Sequence, residues 1–146
     1  MVTYRDYLSG DATAMYALDR VCFDARFRFS LRSMREFAEE PGAIVRIAEQ
    51  AGEMAGFVIA QPEPEGVYLV TLDVAPEQRR QGIAGALIDH VEACAIALDA
   101  DVLLHVFTEN SAAIAFYERR GYLRQGVVPG FYGRGLQAYL YRRGRL

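Results

Sequence analysis

A strand, a polar turn and a long helix follow one another in the middle of the chain, and they limit the fold more than any other segment. Val67–Val74 (VYLVTLDV) is apolar enough for a strand, and Pro76–Leu87 (PEQRRQGIAGAL) leads from it into a helix. Val102–Phe107 (VLLHVF) is typical of a strand that is buried on both faces. We therefore expect a helix to cross the sheet between two strands. Its apolar positions are Ile83, Leu87, Val91, Cys94 and Leu98.

Shorter patterns near the start of the chain predict one strand and two helices. The strand is expected at the sequence TYRDYL, and Ser9–Asp11 offers a cap for the first helix. Ser30 is a suitable N-cap for the second helix, which Pro41-Gly42 ends. The apolar face of the first helix is expected to contain Ala14, Leu18, Val21 and Cys22.

The remaining patterns complete a mixed sheet. Ala43–Glu49 and Met54–Gln61 predict a hairpin that turns through Gly52, and a helix (ENSAAIAFYERRG) follows the buried strand and ends at Gly121. The order of elements is then β-α-α-β-β-β-α-β-α-β-β, which predicts an α/β (α+β) domain over residues 1–146. The last two strands are expected at Tyr122–Val127 and Gln137–Arg142.

Composition excludes several classes of protein. The 146 residues are 52% hydrophobic and 24% charged, which is typical of a globular domain with a sizeable core. No apolar run is long enough to span a membrane, and the N-terminus lacks the apolar stretch of a signal peptide, so we expect a soluble cytoplasmic protein. Cys22 and Cys94 lie on different predicted helices without metal-ligand spacing, so we expect two buried thiols and no metal.

The charges are unevenly distributed along the chain. The net charge is −3, but no acidic residue follows Glu118, and the chain contains no lysine. A basic C-terminal end could bind phosphate or ribosomal RNA, because guanidinium groups suit such anions, or it could be an ordinary solvated face. We favour the solvated face and leave ribosome docking open. The arginines concerned are Arg119, Arg120, Arg124, Arg134, Arg142, Arg143 and Arg145.

The turn between the third strand of the meander and the long helix is suited to an anion. The first amides of a helix lack internal partners, and the helix dipole places partial positive charge there. Gly82 and the small Ala84 leave room for a bulky anion, while Arg79 and Arg80 add charge. From the spacing alone, anion binding and a plain helix start are equally acceptable.

Two motifs resemble those of the GNAT N-acetyltransferase superfamily. VAPEQRRQGIAGALI is similar to its acyl-CoA motif, and NSAAIAFYERRGY is similar to its second motif. The element order also agrees, so the resemblance covers nearly the whole chain and implies the GNAT fold. It further implies that acetyl-CoA binds with its pyrophosphate on the turn amides and its thioester along the preceding strand. The cofactor-binding residues implied are Leu72, Asp73, Val74, Arg79, Arg80, Gln81, Gly82, Ile83, Ala84, Gly85, Asn110 and Tyr117.

Within the superfamily the chain most resembles protein N-α-acetyltransferases. LHVFTENSAAIAFY matches a pattern of one eukaryotic subfamily, in which a strand His and a Tyr on the preceding strand act together through water as the base. His105 and Tyr68 match those positions, although bacterial ribosomal-protein enzymes carry Glu where His105 stands. Tyr117 matches the general acid of the family. The residues that match aromatic substrate contacts are Phe27, Phe131 and Tyr132.

A histidine base favours one class of acceptor. A peptide α-amine has a pKa of roughly 7.7–8.0, so freeing its lone pair at pH 7 costs about 1 kcal/mol. A lysine side chain, with a pKa near 10.4, costs about 4–5 kcal/mol on the same arithmetic. An imidazole with an ordinary pKa near 6.5 is a sufficient base for the first amine and a poor one for the second.

The sequence therefore predicts transfer of acetyl from acetyl-CoA to a primary amine, with a protein or peptide N-terminus as the favoured acceptor. One alternative is a small-molecule amine or a lysine side chain as acceptor on the same cofactor site. A second alternative is a non-catalytic module that senses acyl-CoA, against which the presence of Tyr117, His105 and Tyr68 together argues. The oligomeric state, and the use of acyl groups longer than acetyl, are not predicted.

Overall fold

Seven strands and four α-helices make up residues 1–144, which are the part of the chain that the computed structural model describes. The predicted order of elements and the mixed α/β class are confirmed. The strands are β1 (Val2–Asp6), β2 (Ile44–Gln50), β3 (Glu53–Glu63), β4 (Gly66–Val74), β5 (Val102–Phe107), β6 (Leu123–Val128) and β7 (Ala138–Arg143). The helices are α1 (Asp11–Cys22), α2 (Leu31–Glu39), α3 (Ile83–Ala97) and α4 (Ser111–Arg119).

All seven strands join one sheet in the order β1-β2-β3-β4-β5-β7-β6. Its first half is an antiparallel meander, in which β2 and β3 turn through Ala51 and Gly52, both with positive φ. This is the backbone that a tight hairpin requires. Helix α3 then carries the chain from β4 to β5, the one parallel pair among the described strands. The crossover helix predicted from the sequence is therefore present.

The parallel pair separates soon after it forms. Only Val67 with Val102 and Tyr68 with Leu103 are in register between β4 and β5. A β-bulge at Val70, where Leu69 and Thr71 pair with successive residues of β3, bends β4 next to this point. A cleft therefore opens between the C-terminal ends of the two strands.

The inward face of α1 agrees with the predicted one only at Leu18, which is buried, and at Cys22, which packs partly against the core. Ala14 and Val21 are exposed, and the residues buried against the sheet are Ala12, Met15 and Leu18. The N-cap residue, Gly10, lies within the predicted Ser9–Asp11 but makes no side-chain cap. Asp11 instead accepts from the Leu8 amide and pairs with Arg5 of β1 at 2.8 Å. Contacts with the sheet, rather than apolar spacing alone, select the face of a short helix.

An apolar layer packs against each face of the sheet. On one face α3 packs Ile83, Leu87 and Val91 against the middle strands, as its spacing predicts, although Leu98 at its end is exposed. On the other face α1 and α2 contribute Met15 and Met34. Ser30 caps α2 by accepting from the Ser33 amide at 3.0 Å, which confirms that predicted cap.

Gly56 lets strands β3 and β4 approach each other closely behind the cleft. A Cβ at this position would lie 2.7 Å from the carbonyl oxygen of Asp73 on β4. We expect Gly56→Ala to lower the free energy of unfolding by about 1–3 kcal/mol in urea denaturation, because backbone atoms must move. Gly126→Ala in β6, where nothing lies within 4 Å, is the control and should change it by less than about 0.5 kcal/mol. Equal losses would contradict this account of Gly56.

The described residues contain two free cysteines, no candidate metal-binding group and no helix that could span a membrane. Cys22 and Cys94 are both free thiols, but they are half-buried and not buried as predicted. Among residues 1–144, no group of three or more His, Cys, Asp or Glu side chains is placed to hold a metal ion. No helix in that range is long and apolar enough to cross a membrane.

Candidate active site

The cleft between the diverging strands has a volume of about 610 Å³. Its floor is formed by β4 and β5, one wall by the α1–α2 loop (residues 23–30), and the other wall by α4. The first turn of α3 lies at one end. Residues predicted for three different roles therefore meet in one cavity, namely Phe27, Arg79, Ala84, His105, Tyr117 and Tyr132.

The turn before α3 combines a left-handed glycine with an uncapped helix N-terminus. Gly82 is the N-cap of α3, with φ 77°, and it makes no side-chain cap. The first turn of α3 contains no acidic residue, so no carboxylate of that turn neutralises the positive end of the helix dipole. Arg79 folds back from the turn and donates from Nε to the carbonyl of Val74 at 3.2 Å.

The other residues predicted around this turn contribute in different ways. Arg80 and Gln81 are exposed beside the N-terminus of α3, and Arg80 has a positive φ of 69°. Ile83 is only 1% exposed and packs into the core, so only its backbone can face a ligand. Gly85 lies under the guanidinium of Arg120, where a Cβ would be 3.5 Å from Nη1.

The end of β4 presents alternate side chains to the cleft. Leu72 and Val74 line it, whereas Asp73 is 1% exposed and points to the opposite side. Asp73 can therefore offer a ligand only its backbone. The carbonyl of Val74 accepts from Cys22 Sγ at 3.3 Å as well as from Arg79. Burial raises the pKa of the Cys22 thiol to about 11, so this thiol stays protonated at pH 7.

Asn110 and Tyr117 occupy the α4 side of the cleft. Asn110 is the N-cap of α4, and its Oδ1 accepts from the Ala113 amide at 3.2 Å. Its side chain thus fixes the start of the helix while it also lines the cavity. Tyr117 is buried two turns later, and burial raises the pKa of its hydroxyl strongly. The phenol therefore keeps its proton throughout the neutral range.

His105 and Tyr68 are in direct contact. The Tyr68 hydroxyl lies 2.8 Å from Nδ1 of His105, and either group can donate, according to the tautomer of the ring. His105 lines the cleft, and Phe131 stacks on its ring with centroids 3.9 Å apart. Burial lowers the pKa of His105 and raises that of Tyr68 to about 12. Both groups are therefore neutral at pH 7.

Three aromatic rings form a wall beside His105. Phe27 packs against Phe107 at 4.9 Å and against Tyr132 at 5.0 Å between centroids. Arg26 lies over the Phe27 and Phe107 rings, at 5.0 and 5.7 Å. The sequence indicated Phe27 and Tyr132 but missed Phe107, because an aromatic at the end of an apolar strand resembles a core residue. We call Phe27, Phe107 and Tyr132 the aromatic wall.

The C-terminal arginines are largely paired with carboxylates. Arg120 bonds with Asp89 and Glu92 of α3. The other pairs are Arg124 with Glu118, Arg142 with Asp101 and Arg143 with Glu92. Such pairing favours the solvated face over a free cationic patch. Arg145, the last member of the predicted set, lies outside the described residues.

Known proteins resemble about half of this chain in sequence. N-alpha-acetyltransferase 60 of Xenopus tropicalis is 37% identical over 81 residues, which are 51% of this chain and 34% of that protein. Ribosomal protein bS18-alanine N-acetyltransferase of Escherichia coli is 33% identical over 84 residues, or 57% of each chain. Peptidyl-lysine N-acetyltransferase YiaC of E. coli is 34% identical over 74 residues, or 51% of this chain and 46% of that one. The matches thus span between a third and just over half of these relatives.

The structural similarity to known proteins covers more of the chain than the sequence similarity does. The crystal structure of the ribosomal-protein-S18-alanine N-acetyltransferase from E. coli superposes with a TM-score of 0.87 at 25% identity, over 99% of this chain and 94% of that one. Residues 12–122, well over half of the chain, match the acetyltransferase (GNAT) family. They include the strand, turn and helix around Gly82 and the segment around Tyr117. The chain belongs to the GNAT family of acetyltransferases.

Proposed function

We propose that the protein transfers the acetyl group of acetyl-CoA to a primary amine, and that this amine is the N-terminus of a protein or peptide. One observation carries the proposal: His105, held by Tyr68, faces the same cleft as Tyr117 and the open N-terminus of α3. A base, an acid and an anion site are thereby gathered around one cavity.

The cleft fits acetyl-CoA. The turn from Arg79 to Gly82 and the first amides of α3 would hold the pyrophosphate, because they combine unpartnered donors with positive charge. The backbone of residues 72–74 would lie along the pantetheine, and Asn110 would approach it from α4. When bound, acetyl-CoA supplies an activated acetyl thioester. The protein then has to bind the acceptor, take up one proton and deliver another.

His105 is the proposed base. Its lowered pKa keeps the imidazole neutral at pH 7, and an α-amine needs little help to lose its proton there. With hydrogen on Nδ1, the ring donates to Tyr68 and leaves the Nε2 lone pair free. Tyr68 itself does not line the cleft, so we assign it the task of holding the imidazole ring in its orientation toward the cleft. This differs from the expected action of the pair through water.

Tyr117 is the proposed acid. Its buried hydroxyl retains the proton that a departing thiolate requires. Burial weakens the phenol as an acid, but it also raises the proton affinity of a thiolate in the same dry cleft. The two effects oppose each other, so the transfer stays feasible when the groups are within hydrogen-bond reach.

The acceptor side supports a peptide chain. The aromatic wall and the stacked Phe131 give the cleft beside His105 an apolar surface on which a flexible chain can lie. A polyamine would need unpaired acidic side chains around the acceptor. Among the described residues that line the cleft, the acidic one is Asp24, and it is paired with Arg26 at 2.9 Å.

Gly82→Ala tests the anion site. Alanine at φ 77° is strained by about 1 kcal/mol, although nothing lies within 4 Å of the new Cβ. We expect relaxation of the turn to displace its amides and to weaken acetyl-CoA binding about 5- to 10-fold in calorimetry. Gly42→Ala, at φ 85° and equally open, carries the same strain away from the cleft and should leave the Kd unchanged. An unchanged Kd in Gly82→Ala would remove the turn from the cofactor site.

The acceptor is tested with two matched peptides and detection of released CoA. One peptide has a free N-terminus and no lysine; the other is N-blocked and contains one lysine. Several first residues, including Met, Ala and Ser, should be sampled. Turnover on the free N-terminus alone supports the proposal, and turnover on the blocked peptide alone overturns it. Tight binding of acetyl-CoA without turnover on any amine would favour the sensor instead.

A lysine side chain is the second candidate acceptor. The relative YiaC is named as a peptidyl-lysine N-acetyltransferase and matches 51% of this chain. The lowered pKa of His105 argues against it, because a weaker base is less able to take the proton of a lysine with an ordinary pKa near 10.4. The blocked peptide decides between the two acceptors.

A further inference from the structure

Two carboxyl groups meet in the core behind the cleft. Asp19 of α1 is 0% exposed and Asp73 of β4 is 1% exposed, and their carboxyl groups lie close enough to interact. Neither side chain lines the cleft or takes part in the proposed proton transfers. Buried carboxyls without a cation between them are costly, so this contact needs an explanation.

The hydrogen bonds identify the atoms involved. Oδ2 of Asp19 accepts from the Phe29 amide at 2.9 Å, and Oδ1 of Asp73 accepts from the Thr71 hydroxyl at 2.5 Å. The other two oxygens, Asp19 Oδ1 and Asp73 Oδ2, are buried and have no donor among the described residues. One proton between these two oxygens satisfies both. Without it, two acceptors would face each other in a dry site.

The surroundings favour keeping that proton. Desolvation, followed by the contact with Asp19, raises the pKa of Asp73 well above its ordinary value. Arg79 is the cation that opposes this rise, and Thr71 opposes it by hydrogen bonding. The neighbouring Cys22 and Tyr117 are themselves neutral, so they add no charge that would drive the proton away.

The pair connects the acceptor side of the cleft to the sheet. Asp19 holds the amide of Phe29 at the end of the α1–α2 loop, while Asp73 belongs to β4, beneath the proposed thioester site. The same loop carries Phe27, which packs in the aromatic wall. A contact between the two carboxyls therefore fixes the distance from the loop to the strand.

We propose that Asp19 and Asp73 share one proton, and that this shared proton positions the α1–α2 loop so that the aromatic wall can hold the acceptor. The assignment of the wall to the acceptor rests on the proposed function; the shared proton does not. The two are positioning residues, because they act through the loop and do not touch the reacting groups. Loss of the proton would set two negative charges against each other and separate the loop from β4.

The first test measures how many protons the Asp19–Asp73 pair holds, and it requires no enzymatic turnover. Aspartate 13Cγ shifts of the protein without ligand are recorded at pH 7 and assigned with Asp19→Asn and Asp73→Asn. One proton on the pair is the expected result, while two fully ionised carboxylates would overturn the proposal. Because this measurement needs neither acetyl-CoA nor an acceptor, it stands even where the proposed function fails.

The second test separates positioning from simple packing. Asp19→Asn keeps a donor toward Asp73 and an acceptor for the Phe29 amide, whereas Asp19→Ala removes both. We expect Asp19→Ala to raise the acceptor KM about tenfold while the Kd for acetyl-CoA changes less than about twofold, and Asp19→Asn to restore the acceptor KM. Ring NOEs between Phe27 and Phe107 should weaken in Asp19→Ala and return in Asp19→Asn.

The outcomes of the second test are distinct. An acceptor KM that is unchanged from wild type in both variants, or NOEs that persist in Asp19→Ala, would show that the pair does not position the loop. An equal rise of the acceptor KM in both variants would mean that Asp19 is merely a packing contact. Glu53→Gln, which removes an exposed carboxylate on β3, is the control and should leave the acceptor KM and the NOEs unchanged.

Discussion

Tyr117→Phe is expected to lower kcat about 100-fold and to change the Kd for acetyl-CoA by less than about twofold. The hydroxyl is the only group removed, and the ring still packs against Phe116 and Tyr122 with centroids 5.2 and 5.6 Å away. The loss therefore falls on proton delivery to the leaving group and not on the shape of the cleft. Steady-state kinetics and calorimetry on the same preparation measure both quantities.

Tyr16→Phe on α1 is the matched control for this experiment. Its hydroxyl bonds with Arg20 on the exposed side of the helix, so its removal should leave kcat unchanged. An unchanged kcat in Tyr117→Phe would exclude Tyr117 as the acid. A large rise in the Kd for acetyl-CoA at constant kcat would make it a binding residue instead.

His105→Ala is expected to lower kcat/KM about 100-fold at pH 6 and progressively less toward pH 9. At low pH the acceptor is mostly an ammonium ion, and its proton must be removed before attack. The lowered pKa of His105 keeps the wild-type base neutral through most of this range, so the wild type keeps its advantage as pH falls. Above the pKa of the amine, the acceptor is already free and the base matters less.

The ratio of wild-type to variant rates, measured across pH 6–9, is the decisive quantity. A flat ratio would count against His105 as base, because loss of packing with Phe131 is independent of pH. His90→Ala, the other histidine of the chain, lies on α3 outside the cleft and serves as the control. The ratio of wild-type to His90→Ala rates should stay near one at every pH.

Local patterns predicted the order of elements and the turn before α3. The hairpin through Gly52, the apolar run of β5 and the Ser30 cap each depend on a few neighbouring residues, and the structure retains them. The turn around Gly82 could be anticipated for the same reason, because a glycine with positive φ before a helix depends on its own backbone.

Features that depend on contacts between distant segments could not be predicted in this way. The buried face of α1 depends on how the helix meets the sheet, and Asp19, a charged residue in the sequence, belongs to that face. Its partner Asp73 lies 54 positions later in a strand. Phe107 joins Phe27 only because β4 and β5 separate, which in turn depends on the bulge at Val70.

The identity of the acceptor amine is tested most directly with one peptide that carries both a free N-terminus and an internal lysine. The peptide is incubated at pH 7 with the protein and acetyl-CoA, and fragmentation mass spectrometry locates the acetyl group. Because both amines compete in the same molecule, differences in peptide binding cancel. We expect acetyl on the α-nitrogen, whereas acetyl on the lysine side chain would exclude the N-terminus as the preferred acceptor.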